Sequence, residues 1–480
     1  MIHRGLTRVG GVFALGLLSA CAVGPNYHRP ETPVAPRFAN AGEPGFGDGE
    51  VTADFWKLFN EPMLDKLVED ALAANKDLAH AEANLRASRA TARLAGFDAY
   101  PTVTATASYA HSLESQREVF YIPNATHQQR EFDSADAGFD AVWELDFFGR
   151  VRRSIQAARA DYRAAEASVR DVQVTVTAEV ARNYFVLRGL QEQLDVATRN
   201  ADNQRQTLSL TQVRLEAGRG SELDTSRAEA QLKTTLASIP PLQSSIATTM
   251  YRLSVLTGRL PEALAPALSA PRASPALPSL NAIGSPEALL RRRPDIRVAE
   301  QSLAASTARI GVAVGDLFPK VTFVGSIGYD AASIGGLGRT GADTFSVGPS
   351  ISWAAFDLGR VATRIRIARA ESDAALAEYE ATVLGALEET EGSLITYGRA
   401  QSRRDTLAEA AAASRKAARL ARQRYEGGLT DFLNVLEAER DALTAEDGLA
   451  QSRTQAATSL VAVYKALGGG WIDQPLERKP

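Results

Sequence analysis

Hydrophobic and polar residues alternate with a period of two in four segments of about ten residues. The segments begin after Pro101, at Ala135, after Pro319 and at Phe345. In the first of them, Val, Ala and Tyr take the odd positions, and Thr and Ser take the even ones. This alternation predicts β-strands, and the length is typical of strands that cross a bilayer within a barrel. Two soluble hairpins packed on a core remain the alternative.

Two groups of side chains on these segments carry further information. Aromatic residues fall near the strand ends, as in interfacial girdles: Tyr109, Trp143, Tyr329 and Trp353. The polar face of the second segment contains three carboxylates: Asp136, Asp140 and Glu144. They predict a negative, mildly cation-favouring lumen, although an ordinary polar lining would look the same.

Four strands are too few to close a barrel, because about eight are needed. An open sheet cannot remain in lipid, since its edges leave backbone groups unpaired. If the strands span a membrane, several copies of the chain must therefore share one barrel. Two copies would supply eight strands and a lumen filled by side chains, whereas three would supply twelve and could leave a pore.

Very long helices follow the strands. From Val151 to Gly218 the chain contains no Pro and a single Gly, Gly189, so the predicted helix is about 100 Å long. Apolar residues recur in it with heptad spacing. A solid coiled-coil bundle would need the same seam, that is, the same stripe of apolar residues with heptad spacing. The direct connection to strands at Arg150 and Arg360 favours a helical tube that continues a barrel.

The chain is a tandem repeat. Tyr100-Pro101 matches Phe318-Pro319 at an offset of 218 residues, whereas Trp143 matches Trp353 at an offset of 210. Each half has the order helix, strand, loop, strand, very long helix, tight turn, helix. Repeats of this size predict a pseudo-symmetric architecture.

The N-terminus has the pattern of a targeting segment. Basic residues precede a short apolar run, and the run ends at Cys21, the single cysteine of the chain. This resembles a bacterial lipobox, in which Cys21 carries lipid after cleavage; a spectator cysteine in an ordinary signal peptide is the alternative. Ala22, in place of Asp, points to the outer membrane. The Pro-rich stretch that follows predicts an extended tether.

Composition excludes several classes of protein. The 480 residues carry a net charge of −4, which disfavours nucleic acid as a partner. One cysteine excludes an internal disulfide and thiolate metal sites, and the five histidines have no helical ligand spacing. No nucleophile elbow, phosphate loop or zinc-protease motif is present. We therefore expect no enzyme, no metal and no cofactor beyond covalent lipid on Cys21.

Several motifs together resemble the TolC/OprM-like outer membrane factors, specifically the NodT-type efflux lipoproteins of RND systems. The matching segments are 21–27, Arg292-Arg293-Pro294-Asp295-Ile296, Leu317-Phe318-Pro319, Phe356-Asp357-Leu358-Gly359-Arg360 and Tyr425-Glu426-Gly427-Gly428-Leu429. The resemblance implies an α+β membrane protein. Its homotrimer would form a 12-stranded β-barrel, with four strands per protomer, continued by a 12-helix periplasmic tunnel.

The resemblance also implies the activity. Such proteins are passive outer-membrane exit ducts of tripartite efflux systems, and they export small molecules with a periplasmic adaptor and an inner-membrane RND-type pump. An outlet of a type I-like protein secretion system has the same fold and stays open. A periplasmic coiled-coil scaffold is the third possibility, but it would lack the strands and the lipobox.

Two sets of site residues follow from the resemblance. The helical turns would dock the adaptor through Gly218, Ser221, Gly428, Leu429 and Thr430. The closed periplasmic entrance would be lined by Leu433, Asn434 and Glu437. Arg219 departs from the apolar residue usual in the first turn. Some members of the family have acidic residues at two positions of the entrance, and each would form a ring of carboxylates in the trimer. Asn434 leaves only the ring of Glu437, which should weaken cation binding.

The predicted organisation has six parts, from signal peptide to tail. They are 1–20 signal peptide, 21–55 lipidated tether, 56–258 first repeat, 259–284 equatorial linker, 285–470 second repeat and 471–480 C-terminal tail.

Overall fold

A computed structural model describes residues 22–40, 52–115, 130–272, 275–280 and 283–471. The predicted signal peptide, Cys21 and most of the predicted C-terminal tail lie outside these ranges. The described chain forms two compact units. Of the described residues, the first unit contains those within 22–30, 85–165 and 298–379, and the second contains those within 31–84, 166–297 and 380–471.

In each half, helices are followed by two strands and then by a very long helix and a shorter one, in the predicted order. The helices are α1 Pro62–Ala74, α2 Lys76–Phe97, α3 Arg150–Glu216, α4 Glu222–Leu256, α5 Ala265–Leu268, α6 Pro286–Arg292, α7 Pro294–Gly315, α8 Leu358–Glu426 and α9 Phe432–Ala466. The strands are β1 Thr102–Leu113, β2 Glu131–Leu145, β3 Lys320–Ala331 and β4 Asp343–Ser352. Short 3-10 helices cover Phe55–Phe59 and Ile334–Gly336.

Most corresponding elements of the two halves have equal or nearly equal lengths, although β2 has 15 residues and β4 has 10. Helices α2 and α7 have 22 residues each, α4 and α9 have 35 each, and α3 and α8 have 67 and 69. Strands β1 and β3 have 12 residues each. The repeat predicted from the residue offsets is therefore present in the elements.

Helix α3 buries the seam that its spacing predicts. Val169, Val180, Tyr184 and Leu187 are fully buried. Gly189 also faces a neighbour, because a Cβ placed there would lie 1.8 Å from Oγ1 of Thr454 on α9. The heptad pattern therefore marks the contact face of the helix.

The four strands form one antiparallel sheet in the order β1-β2-β3-β4. Thr106 pairs with Gly138, Gly138 with Gly328, and Gly328 with Thr344, so the sheet is in register across all four strands. The outer edges of β1 and β4 have no strand partner among the described residues.

The core of the second unit is aromatic at its centre. The rings of Phe55 and Tyr464 stack at 5.0 Å, and those of Phe59 and Phe185 lie 4.7 Å apart. Phe55 begins the 3-10 helix Phe55–Phe59, so the predicted boundary between residues 55 and 56 falls inside this element.

The Arg-Arg-Pro-Asp motif joins three helices of the second unit. The guanidinium of Arg293 is buried and contacts carboxylate oxygens of Asp295 and Glu389 at 2.7 Å each. It also donates to the carbonyl of Ala466 at 2.9 Å. Because a buried cation needs paired acceptors, this motif fixes the start of α7 against α8 and the end of α9.

Candidate functional site: a two-faced sheet and two glycine turns

One face of the sheet is a continuous apolar surface. Phe139, Ile327 and Phe345 form a cross-strand row, and their side chains are 58%, 65% and 80% exposed. Val103, Val347 and Ile351 are exposed beside them. A surface of this kind on a folded chain marks contact with a membrane or with another protein.

The predicted aromatic residues fall at both ends of this face. Tyr109 and Tyr329 lie toward the ends of β1 and β3. Trp143 lies two residues before the end of β2, and Trp353 directly follows β4. The two Trp indoles donate to backbone carbonyls outside the sheet at 3.0 Å each. Tyr109 pairs with Ala135, eight residues before Trp143, which corresponds to about 26 Å along a strand. That spacing matches the height of the apolar band of a membrane barrel, about 25 Å.

The opposite face is mainly polar, although Val142 and Val324 are exposed on it as a cross-strand pair. It contains the three predicted lumen carboxylates. Asp140 accepts a hydrogen bond from the Thr106 hydroxyl at 3.1 Å, and Asp136 accepts one from Ser108. Neither carboxylate has a cationic partner among the described residues.

Glu144 differs from the other two carboxylates. Its oxygens accept two hydrogen bonds from the guanidinium of Arg150, at the start of α3. Its charge is therefore balanced within the chain. The negative potential expected on this face comes instead from Asp136, Asp140 and exposed Asp330, which lies opposite Asp136 on β3. Sequence reasoning missed this pair, although Glu144 and Arg150 are six residues apart.

The two helical turns have the same backbone geometry. Gly218 and Gly428 have φ of +68° and +71°, and the next amide in each turn donates to a carbonyl five residues back at 2.8 Å. This is the Schellman arrangement, which requires the left-handed conformation that glycine tolerates. Ser221 then caps α4, since its side chain accepts from the Asp224 amide. Leu429 is 72% exposed.

The predicted gate residues share one exposed face at the start of α9. Leu433 is 45% exposed, and Asn434 Nδ2 donates to Thr430 Oγ1 at 2.9 Å. Glu437 is exposed and has no hydrogen bond or ion pair within the described chain. The other face of the same turn is buried through Phe432 and Val435.

Sequence reasoning missed the contact that joins the ends of α3 and α8. The guanidinium of Arg214 lies 4.2 Å from the ring centroid of Tyr425 and donates to the Glu426 carbonyl at 3.1 Å. Cation–π contacts of this kind contribute about 0.5–2 kcal/mol. Tyr425 belongs to one of the motifs recognised in the sequence, but no sequence pattern identifies Arg214 as its partner.

Glu439 is a second residue that sequence reasoning missed. It is partly buried and accepts a hydrogen bond from the Thr207 hydroxyl of α3 at 2.7 Å. Burial raises the pKa of Glu439 above its ordinary value, while Thr207 and Arg422 oppose the shift.

Two features are absent from the described residues, namely a cluster of metal ligands and a membrane-spanning helix. They contain no group of three His, Cys, Asp or Glu side chains that could hold a metal ion. None of the described helices combines the length and apolar character needed to cross a bilayer.

Comparison with known proteins places these features in a family. The family model for outer membrane efflux proteins matches residues 67–259 and 285–469, one segment in each half. Solvent efflux pump outer membrane protein SrpC of Pseudomonas putida is 30% identical, with 96% of this chain and 97% of that protein covered. Nodulation protein T of Rhizobium leguminosarum bv. trifolii is 29% identical, with 97% and 98% covered.

A solved structure of the outer-membrane channel OprN has a TM-score of 0.88 and 43% identity. The comparison covers 94% of this chain and all of that one. The open state of the Neisseria gonorrhoeae MtrE outer membrane channel has a TM-score of 0.81 and 28% identity, with 94% and 98% covered.

Proposed function

Because the chain belongs to the outer membrane efflux protein family, we propose that it is the passive exit duct of a tripartite efflux system. The duct carries small molecules from the periplasm through the outer membrane to the exterior. The observation that carries this proposal is the sheet, which has one exposed apolar face, one exposed and mainly polar face, and two edges without a strand partner among the described residues. A lipid-facing wall with an aqueous lumen behind it needs this combination.

The unpaired edges of β1 and β4 support a homotrimer. In lipid, every backbone donor and acceptor must be paired, so each edge needs a strand from another copy. Three copies give twelve strands and leave room for an aqueous channel, whereas two give eight and a filled lumen. Twelve long helices, four from each copy, continue the duct as a periplasmic tunnel.

The two glycine turns support docking of a periplasmic adaptor protein. Gly218 and Gly428 leave the backbone open to approach, since no atom lies within 4 Å of a Cβ placed at either residue. Exposed Leu429 adds an apolar contact beside them. The adaptor connects the duct to an inner-membrane pump, of the RND type by family.

Leu433, Asn434 and Glu437 form the periplasmic gate in this proposal. Three copies of unpartnered Glu437 around one axis repel one another, bind cations and lose that repulsion when protonated. Lipid on Cys21 anchors each copy to the membrane. The duct needs no cofactor, because conduction involves no bond-making step.

Single-channel recording in planar bilayers tests the proposal. We expect purified protein to show small, cation-selective conductance steps, because the resting entrance is constricted. The double variant Leu433→Ala, Glu437→Ala should give larger steps with weaker cation preference. Leu260→Ala, a variant of an exposed leucine outside the gate, is the control and should match the wild type. Absence of conductance in all three proteins would refute the duct.

A further inference from the structure

The first unit contains a closely fitted site that the proposed duct does not use. Residues 22–26 have no helix or strand, and they lie on the start of α3 and on α7. The amide of Val23 donates to the carbonyl of Phe148 at 3.0 Å. A Cβ placed on Gly149, which has φ of +84°, would lie 2.5 Å from Cα of Ala22. The segment therefore lies directly on the backbone just after β2.

Arg153 makes the polar contacts of this site. Its guanidinium donates to the carbonyls of Val23 and Gly24 at 3.0 Å each and to Oδ1 of Asn26 at 2.9 Å. The residue is only 4% exposed. A buried guanidinium costs free energy unless its donors are satisfied. Here two backbone carbonyls and one side-chain amide oxygen of the segment accept from it, and Gln156 Oε1 accepts a further hydrogen bond at 3.0 Å.

Two glycines provide the space. Gly24, with φ of +87°, lies so close to Gly311 that a Cβ on Gly24 would be 2.5 Å from Cα of Gly311. A Cβ on Gly311 would in turn meet the Arg153 side chain at 2.7 Å. A larger residue at Gly311 would therefore displace the Arg153 side chain, and with it the hydrogen bonds that hold the segment.

The site is absent from the matching place in the other half. At the repeat offsets, Arg153 corresponds to Thr363, and Gly311 corresponds to Arg93. Gly359, the counterpart of Gly149, has no atom within 4 Å of an added Cβ. The repeated architecture therefore does not require these residues, and the described part of the chain has this site in its first half only.

We propose that Gly149, Arg153 and Gly311 form a peptide-binding site whose ligand is the chain's own segment 22–26. Because this segment directly follows Cys21, occupancy of the site fixes where a lipid on Cys21 enters the membrane, beside the junction of β2 and α3. The anchor is then part of the folded body and not a loose tether. The lipid part of this inference rests on the proposed function, whereas the binding site does not.

Hydrogen–deuterium exchange of the full-length protein in detergent tests the site. We expect the peptide that covers residues 22–30 to be protected in the wild type. Arg153→Ala and Gly311→Ala should each speed its exchange by about tenfold or more, because several hydrogen bonds from a charged donor are lost or displaced. Exchange within β2 and the distal part of α3 should stay unchanged.

The controls separate docking from folding. Arg152→Ala removes the neighbouring arginine, which binds Asp146 and not the segment. Gly96→Ala adds a methyl group to α2 where no atom lies within 4 Å. Gly311→Ala favours helix formation by about 1 kcal/mol but crowds Arg153, so exchange within α7 is measured in the same experiment. Unchanged exchange in α7 together with fast exchange of the segment shows that docking is lost and the helix is not. Both control variants should keep the segment protected.

Two outcomes would overturn the inference. The segment could exchange freely in the wild type, or it could stay protected in both Arg153→Ala and Gly311→Ala. In cells, both variants should also lower the amount of protein recovered from outer membranes. If exchange changes as expected but the purified protein does not conduct, the binding site stands and the proposed duct fails.

Discussion

At the residue scale, two glutamates on one helix have opposite environments. Glu437 is exposed and unpartnered within the described chain, whereas Glu439 contacts Thr207 in the contact between α3 and α9. The sequence could place Glu437 on an exposed face from family resemblance. It could not identify Glu439 as a buried carboxyl, because burial there depends on which face of α9 packs on α3.

Glu439 should make the folded protein less stable as the pH rises. Burial raises its pKa in the folded state, so the carboxyl is neutral in both states at low pH and costs nothing. As the pH rises from the ordinary glutamate pKa through the raised value, folding must keep a charge buried and stability falls. Glu439→Gln should remove this loss, raising the melting temperature more at pH 8 than at pH 5. Glu437→Gln is the matched control, and an equal effect from both would contradict the assignment.

Leu429 should matter for export but not for folding. Its exposed side chain offers an apolar contact to an adaptor, so Leu429→Asp should abolish efflux of a fluorescent dye in complemented cells. Leu260→Asp alters a similarly exposed leucine, 77% against 72%, away from the turns and should leave efflux intact. If both variants lose efflux to the same extent, or if neither loses it, Leu429 does not dock an adaptor.

At the element scale, periodicity predicted most of the fold. The strand alternation, the heptad seam and the residue offsets predicted four strands, two very long helices and their bounds to within a few residues. These signals succeed because each reports one buried or apolar face. The docking of segment 22–26 was not predicted. Its contacts involve backbone atoms and one arginine, and no periodic pattern in the sequence accompanies them.

Helix packing gives a prediction with an internal control. Gly189 on α3 faces Thr454, whereas a Cβ on Gly448 of α9 would meet only Leu407, at 3.8 Å. Gly189→Ala should therefore destabilise the protein by about 1–3 kcal/mol through overpacking. Gly448→Ala should be neutral or stabilise by up to about 1 kcal/mol through helix propensity. Thermal melting followed by circular dichroism ranks the two; a reversed order would contradict the described packing.

At the scale of the whole molecule, one chain is incomplete in a membrane. Its sheet exposes a large apolar face, which is unfavourable in water. The outer edges of β1 and β4 have no strand partner among the described residues, which is unfavourable in lipid. The exposed face and edges of the sheet thus predict that several copies of the chain assemble. They do not decide between two copies and three. Family membership and the need for an open lumen favour three.

The mass of the intact assembly tests this most directly. Protein extracted from outer membranes in mild detergent should be measured by native mass spectrometry. The account predicts a single species with three copies of the mature chain. A species with one or two copies would contradict a shared twelve-stranded barrel, and with it the exit duct proposed for this protein.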